Sequence, residues 1–232
     1  FILNFLITFL LLYPLFLILL ARENWFGGAF KLMRFWAKWL CYGSGIFPSM
    51  RYELDLKKIP QPCIFISNHS SYLDIVLSYV AVPHYFVFVG KQELDKAPLF
   101  RIFFKRMNIL VNRKSNVDSH RAYLRSGEKI DKGQSVFIFP EATISSSGNL
   151  IPFKNVAFKL AIDKQVPIVP LVYFDNWKHL QNGGFLTANG RPGIVRARML
   201  NAVETKGMTN ADLIPLREKI KNSIQESLNQ HK

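Results

Sequence analysis

The sequence predicts an α/β fold: a mainly parallel sheet flanked by helices, preceded by an N-terminal membrane-embedded helix or two-helix anchor. Three observations predict it. Residues 1–21 carry no charge, the pattern of a membrane segment. From about residue 42, apolar runs of strand length alternate with stretches of helical periodicity, the order of a sheet covered by helices. Several of those runs end abruptly in polar residues, where sites on α/β sheets form. With 232 residues the chain suffices for one α/β domain with a sizeable core plus an N-terminal appendage.

The first segment, FILNFLITFLLLYPLFLILLA, would span about 30 Å as a helix, the thickness of a bilayer's hydrocarbon core. Asn4 and Pro14 are tolerable in such a helix. No basic run precedes it and no small-x-small site follows, so it reads as an anchor rather than a cleaved signal. Residues 29–40, AFKLMRFWAKWL, place Lys31, Arg34 and Lys38 at helical spacing on one face, with Phe30, Met33, Phe35, Trp36, Trp39 and Leu40 over the rest. That is the pattern of a helix in the membrane interface, although a core helix with three solvated charges fits it too. Whether the pair spans the bilayer or dips into one leaflet as a hairpin stays open. The expected division is an anchor and interfacial helix over 1–41 and a globular domain over 42–232. Positive residues after the first span keep that domain cytoplasmic, at the inner membrane if the cell is bacterial.

Strands are expected at 50–56, 63–67, 85–91, 108–113, 135–141, 167–174 and 191–200, with SVFIFPE the strongest. Helices are expected at 70–81, 96–107, 117–131 and around 149–164. A last helix starts at Thr209, with Asp212 as its capping-box acid and Leu213, Leu216, Ile220, Ile224 and Leu228 as its apolar stripe. No internal repeat or low-complexity stretch interrupts this series.

Hydrophobic residues make up 49% of the chain, 20 of them Phe, which suggests contact with apolar ligands. Thirty Lys and Arg against 16 Asp and Glu give a formal charge of +14, which favours an anionic surface. With an apolar N-terminus, that surface is a membrane and not nucleic acid; the basic residues are dispersed and no nucleic-acid-binding signature occurs. Cys41 and Cys63 show no CxxC and no metal spacing, and read as reduced thiols.

The chemistry-bearing residues lie at strand ends. Ser67-Asn68-His69-Ser70-Ser71-Tyr72-Leu73-Asp74 follows the CIFI strand directly. On one continuous helix, His69 and Asp74 would point about 140° apart. They meet only if His69 lies on a turn, which the flanking Ser and Asn residues permit. Phe139-Pro140-Glu141-Ala142-Thr143 leaves a second buried strand, bringing a carboxylate and a hydroxyl to the same crevice. Asn112-Arg113-Lys114 follows a third, where Arg113 can grip a phosphate in two-pronged fashion. Pro152-Phe153-Lys154 and Val166-Pro167-Ile168-Val169-Pro170 complete the series.

In order and spacing these blocks resemble the glycerolipid acyltransferase family, which includes lysophosphatidic acid acyltransferases. Asn68-His69 with Asp74 matches the family's NHxxxxD motif, and the run ending in Asn112-Arg113 resembles G-x-I-x-x-D-R. Phe139 to Thr143 matches FPEGT, and Val166 to Pro170 the VPIVP-like block; together they cover roughly residues 60–175. The resemblance implies transfer of a fatty acyl group from acyl-CoA or acyl carrier protein to the free hydroxyl of a lysolipid, such as 1-acyl-glycerol-3-phosphate. It implies no cofactor, metal or covalent intermediate. His69 would be the general base and Asp74 its orienting partner. Backbone N–H groups near the helix start would hold the oxyanion. Asn68, Arg113, Glu141, Thr143, Lys154 and Lys91 would bind substrate.

The sequence departs from the family at Met107 and Asn112, where Gly and Asp are usual, at Ala142 for Gly, and at Ile144 where many members carry Arg. That Arg is expected to hold the acceptor's phosphate, so another acceptor such as lyso-ornithine lipid is the alternative, with Arg113, Lys154 and Lys91 as the compensating cations otherwise. A serine hydrolase is disfavoured, since no G-x-S-x-G elbow accompanies Ser70 and Ser71. A non-catalytic lipid-binding protein is the remaining reading.

Overall fold

The central strands are short, β-branched or aromatic, and buried at every position, which is how strands covered on both faces read. The computed structural model describes residues 1–92, 99, 101–145, 148–183 and 189–231. Among the described residues seven strands form one sheet: β1 (Ile46–Tyr52), β2 (Ile64–Ser67), β3 (Phe86–Lys91), β4 (Ile109–Val111), β5 (Ser135–Ile138), β6 (Ile168–Tyr173) and β7 (Gly193–Met199). Their spatial order is β1-β7-β6-β2-β5-β3-β4. All neighbouring pairs run parallel except β6 and β7, so the sheet is mixed but mainly parallel.

The helices are α1 (Ile2–Leu19), α2 (Phe26–Gly43), α3 (Leu73–Ala81), α4 (Arg101–Arg106), α5 (Asn116–Asp131), α6 (Val156–Lys164), α7 (Asn176–His179) and α8 (Leu213–Asn229). Because side chains alternate across a strand, each face of the sheet collects its own set. Phe65, Phe86, Phe88 and Phe137 lie in the core shared with α1, α2 and α3. Phe65 and Phe137 are register partners on β2 and β5, stacked 6.0 Å apart. The opposite face is aliphatic, with Ile64, Ile66, Val136 and Ile138 packed beneath α6 and α8. The chain's wealth of Phe is thus concentrated on one side.

α2 buries Phe30, Met33, Trp36, Ala37 and Leu40, a 3.6-residue stripe. Each large side chain so buried contributes about 1.5–3 kcal/mol. Trp36 fixes α1 to α2: its ring lies 5.1 Å from Phe5, 5.7 Å from Phe9 and 5.8 Å from Phe16, and its Nε1–H donates to Thr8 Oγ1 at 2.8 Å. Asn4, a polar residue in an apolar segment, donates to Ser44 Oγ at 3.0 Å. On α1 only Phe9 and Phe16 are buried, while Leu3, Leu10, Leu11 and Ile18 are exposed. Among the described residues α1 is the one helix long and apolar enough to cross a membrane.

The expected basic stripe on α2 is corrected in one respect. Arg34 turns inward, donating to Tyr79 O at 3.1 Å and Pro83 O at 3.4 Å at the C-terminal end of α3. There it satisfies carbonyls that the helix leaves unpaired. Lys31 and Lys38 stay exposed beside Phe35, Trp39 and Tyr42. Other boundaries shift as well. β1 starts four residues before the expected strand at 50–56, the helix expected from 149 starts at Val156, and α7 had no counterpart. Much of the helix expected at 96–107 coincides with α4, but residues 96–98 and 100 lie outside the described residues. The capping box at Thr209 and Asp212 is present, closing a short 3-10 turn that leads into α8.

Candidate active site

β2 sits at the middle of the sheet, so the chain leaving it at Ser67 enters the crevice between the carboxyl ends of β5 and β6. Residues 68–72 form a turn before α3 begins at Leu73. This turn brings His69 and Asp74 together, which a continuous helix would not. His69 Nδ1 lies 2.9 Å from Asp74 Oδ2. A carboxylate only accepts, so Nδ1 carries a proton, and in the neutral ring the lone pair is then on Nε2. His69 lines a cavity of about 520 Å³, and among the described residues Nε2 has no hydrogen-bond partner.

Asp74 is fully buried, and four donors offset the burial of its charge. Oδ2 accepts from His69 Nδ1, from the Ser70 N–H at 2.6 Å and from the Ser71 N–H at 2.9 Å. Oδ1 accepts from Asn176 Nδ2 at 2.6 Å. Of the N–H groups at this helix start that were expected to hold an oxyanion, those of Ser70 and Ser71 are engaged by Asp74, and that of Leu73 by Ser71 Oγ at 3.0 Å.

The loop after β5 packs over the imidazole. Phe139 stacks on His69 with ring centroids 4.0 Å apart and planes inclined by 17°. Such a face stabilises a cationic ring, the form a base takes after accepting a proton. Glu141 is almost wholly buried, and its two oxygens accept from the His69 N–H at 2.8 Å and the Ile151 N–H at 3.0 Å. Burial pushes its carboxyl up to about 7; the two backbone donors pull the other way and the nearby Asp74 charge adds to the rise. Ser145 N–H donates to His69 O at 2.8 Å, so the peptide on both sides of His69 is tied to this loop. Ala142, where the resembling family has Gly, sits at a φ of 60°.

The remaining expected site residues divide. Lys91, Arg113 and Thr143 line the cavity, and Arg113 Nη1 donates to Ala142 O. Ile144 lines it too. Asn68 and Glu141 do not; expected on substrate, they are used to build the site. Asn68 continues the β2–β6 ladder with its side chain, donating to Tyr173 O and accepting from Tyr173 N, each at 2.8 Å. Lys154 is exposed outside the lining, its N–H donating to Pro140 O. The sequence reading passed over Phe139 as a ring partner, and over Asn176 and Tyr173. Asn176 falls in Asp175-Asn176-Trp177 just past β6, a polar strand end of the kind that marked the other blocks.

Apart from Asn108 and Asn182, most of the rest of the cavity wall is apolar. Phe5 of α1, Met33, Trp36 and Leu40 of α2, Tyr79 of α3 and Phe103 of α4 contribute to it. A dyad at the edge of a half-enclosed hydrocarbon-lined space can deprotonate a hydroxyl beside an acyl chain. Cys63 lies elsewhere, its thiol pushed up to about 12 by burial, and takes no part. Among the described residues no three His, Cys, Asp or Glu side chains gather as a metal site.

The chain belongs to the acyltransferase family: residues 51–174 match the family model described as Acyltransferase. Among proteins of that kind, it is 31% identical over 182 residues to human 1-acyl-sn-glycerol-3-phosphate acyltransferase beta, covering 75% of this chain and 64% of the relative. It is 32% identical over 152 residues to the Haemophilus influenzae 1-acyl-sn-glycerol-3-phosphate acyltransferase, covering 64% and 58%. The chain thus spans less than two thirds of the length of either. The crystal structure of the 1-acyl-sn-glycerophosphate acyltransferase of Thermotoga maritima shares the fold, with a TM-score of 0.73 at 21% identity over 98% of this chain and 93% of that one.

Proposed function

We propose that this chain transfers a fatty acyl group from acyl-CoA or acyl carrier protein to the free hydroxyl of a lysolipid, with 1-acyl-glycerol-3-phosphate as acceptor and phosphatidic acid as product. The observation that carries the reading is the 2.9 Å His69–Asp74 pair at the wall of an apolar cavity. His69 Nε2 takes the hydroxyl proton as the oxygen attacks the thioester carbonyl. The carbonyl electrons move onto oxygen, then return to break the C–S bond, and the proton passes to the leaving thiolate. Asp74 holds the Nδ1–H tautomer and stabilises the imidazolium. General-base help of this kind contributes typically about 10²–10⁴ in rate. Lys91, Arg113 and Thr143 face the charges of the phosphate and the oxyanion.

Membrane association is supported by α1, whose exposed face is hydrocarbon, and by Lys31 and Lys38 beside exposed Trp39 on α2. In this reading residues 1–41 anchor the acyltransferase domain, 42–232, on the cytoplasmic side. A second acceptor class, a lysolipid without a phosphomonoester such as lyso-ornithine lipid, is favoured by one observation: Ile144 lines the cavity where an arginine is usual in resembling sequences.

The test uses full-length protein in vesicles, a labelled long-chain acyl thioester and a panel of lysolipids with glycerol-3-phosphate. Transfer to 1-acyl-glycerol-3-phosphate is expected, with His69→Ala folded, vesicle-bound and inactive. Undiminished turnover by His69→Ala refutes the mechanism. Preference for an acceptor without a phosphomonoester selects the second class.

A further inference from the structure

We infer that Asn176 is a positioning residue of the reaction, acting on His69 through Asp74. The inference rests on the acyl-transfer reading above and adds a third member behind the His–Asp pair.

Asn176 is completely buried, on the short helix α7 that follows β6. Its Nδ2 donates to Asp74 Oδ1 at 2.6 Å, whereas its own Oδ1 has no partner among the described residues. A buried amide with one satisfied end is an expensive choice where an apolar side chain would pack without loss. The satisfied end identifies what the residue supplies, an N–H on Asp74. Oδ2 receives His69 and two turn amides, all from residues 69–71. Asn176 provides the opposing contact on Oδ1, from a residue 102 positions away in sequence. With both oxygens held, the carboxylate cannot rotate, and the imidazole keeps its direction toward the cavity.

The segment bearing Asn176 is itself fastened at both ends. Before it, Asp175 pairs with Arg196 at 2.9 Å and with Lys178 at 3.6 Å. After it, Leu180 O accepts from Ser71 Oγ at 2.5 Å, tying α7 back to the His69 turn. A rigid support behind a catalytic group is what keeps it within productive geometry. The other ionisable groups near the pair are Glu141, bonded to the His69 N–H, and Tyr173, whose Oη meets Ser78 Oγ at 2.7 Å while that hydroxyl donates to Asp74 O. Lys91 and Arg113 line the cavity on the substrate side.

Three variants test this. Asn176→Ala should lower kcat on the order of 10- to 100-fold with KM little changed, the size expected when the support of an active-site ligand is removed. Combined with Asp74→Ala, which removes the group that Asn176 holds, it should lower kcat no further than Asp74→Ala alone, because one route carries both effects. Multiplied losses in the double variant would mark a merely structural role and overturn the inference. Asn176→Asp is nearly isosteric and carries the test should the alanine variant not fold. A second buried carboxyl at hydrogen-bond distance from Asp74 shares a proton with it, which withdraws negative charge from the partner of His69, so kcat should fall by about tenfold or more with KM little changed. Unchanged kcat in a folded Asn176→Asp protein refutes the coupling. Wild-type kinetics in the Asn176 variants, with His69→Ala inactive, would sink this inference and leave the acyl-transfer reading standing. Active His69→Ala would sink that reading, and the inference with it.

Discussion

Asp74→Asn removes one charge and almost no volume, and the structure specifies how the site would absorb it. If the new amide oxygen takes the place of Oδ2, the donors from His69, Ser70 and Ser71 all keep an acceptor. The new NH2 then meets Asn176, whose amide can turn over to offer its unpartnered oxygen. Fold and tautomer survive, with a stability cost within about 2 kcal/mol. What is lost is the attraction between the carboxylate and the imidazolium formed as the proton transfers. At charge centres about 4 Å apart and an effective dielectric constant of about 20, that attraction is ~4 kcal/mol. Expressed fully in the transition state, it corresponds to a fall of about 10³ in kcat. Steady-state transfer from a long-chain acyl thioester to 1-acyl-glycerol-3-phosphate, with a thermal melt of each protein, measures both quantities. A loss in kcat below tenfold, or a raised KM at unchanged kcat, would refute the assignment of Asp74 to the charge of the reacting histidine.

Three further outcomes follow from the surroundings of the pair. Glu141 is lifted from 4.5 to about 7, so between those values the folded protein holds more protons than the unfolded chain. Its contribution is complete below pH 4.5 and lost by pH 7, and stability should fall as pH rises, by ~3 kcal/mol in all. Melts at stepped pH should show this slope in the wild type and a flatter one in Glu141→Gln. Ala142→Gly relieves a φ of 60° that costs roughly 1–2 kcal/mol for a side chain, against about 0.4–1 of extra chain entropy. Its urea midpoint should rise, by the equivalent of ~0.5–1 kcal/mol; a lower midpoint would contradict the strain. Trp36→Ala removes the ring that holds Phe5, Phe9 and Phe16, at about 3–5 kcal/mol. Limited proteolysis should then release α1, and an unchanged digestion pattern would mean other contacts hold it.

The sequence made the dyad legible because its requirements are local: a buried strand, a turn of small polar residues, and a carboxylate in the first turn of a helix. The fold class was legible for the same reason, since alternation of apolar runs needs no knowledge of partners. Strand order was not, nor the antiparallel β6–β7 pairing, because both depend on contacts between distant segments. β1 was displaced by Pro48, which reads as a break in a central strand but is accommodated at the sheet edge. The roles of Asn68 and Glu141 were hidden in the same way. A polar residue at a strand end looks available to substrate until its partner appears, and those partners lie 105 and 72 residues away. The direction of Arg34 likewise depends on carbonyls 45 and 49 residues downstream, which no helical periodicity reveals.

That arginine also joins two parts of the proposed function. α2 contributes to the cavity wall through Met33, Trp36 and Leu40, while its outer stripe and α1 present hydrocarbon and aromatic rings to the surroundings. Under the proposed function, an acceptor lipid entering from a bilayer along these helices keeps its chain in apolar contact throughout. Exposure to water would cost about 0.8 kcal/mol per methylene, so even ten methylenes in transit would raise a barrier of ~8 kcal/mol. The same α2 is pinned by Arg34 to the C-terminal end of α3, and α3 carries Asp74 in its first turn. Five residues of helix, about 7.5 Å, separate Tyr79, whose carbonyl Arg34 holds, from the carboxylate that orients His69. The position of the dyad relative to α2 is therefore set by one short rigid element, which under the proposed function also fixes its distance from the lipid surface.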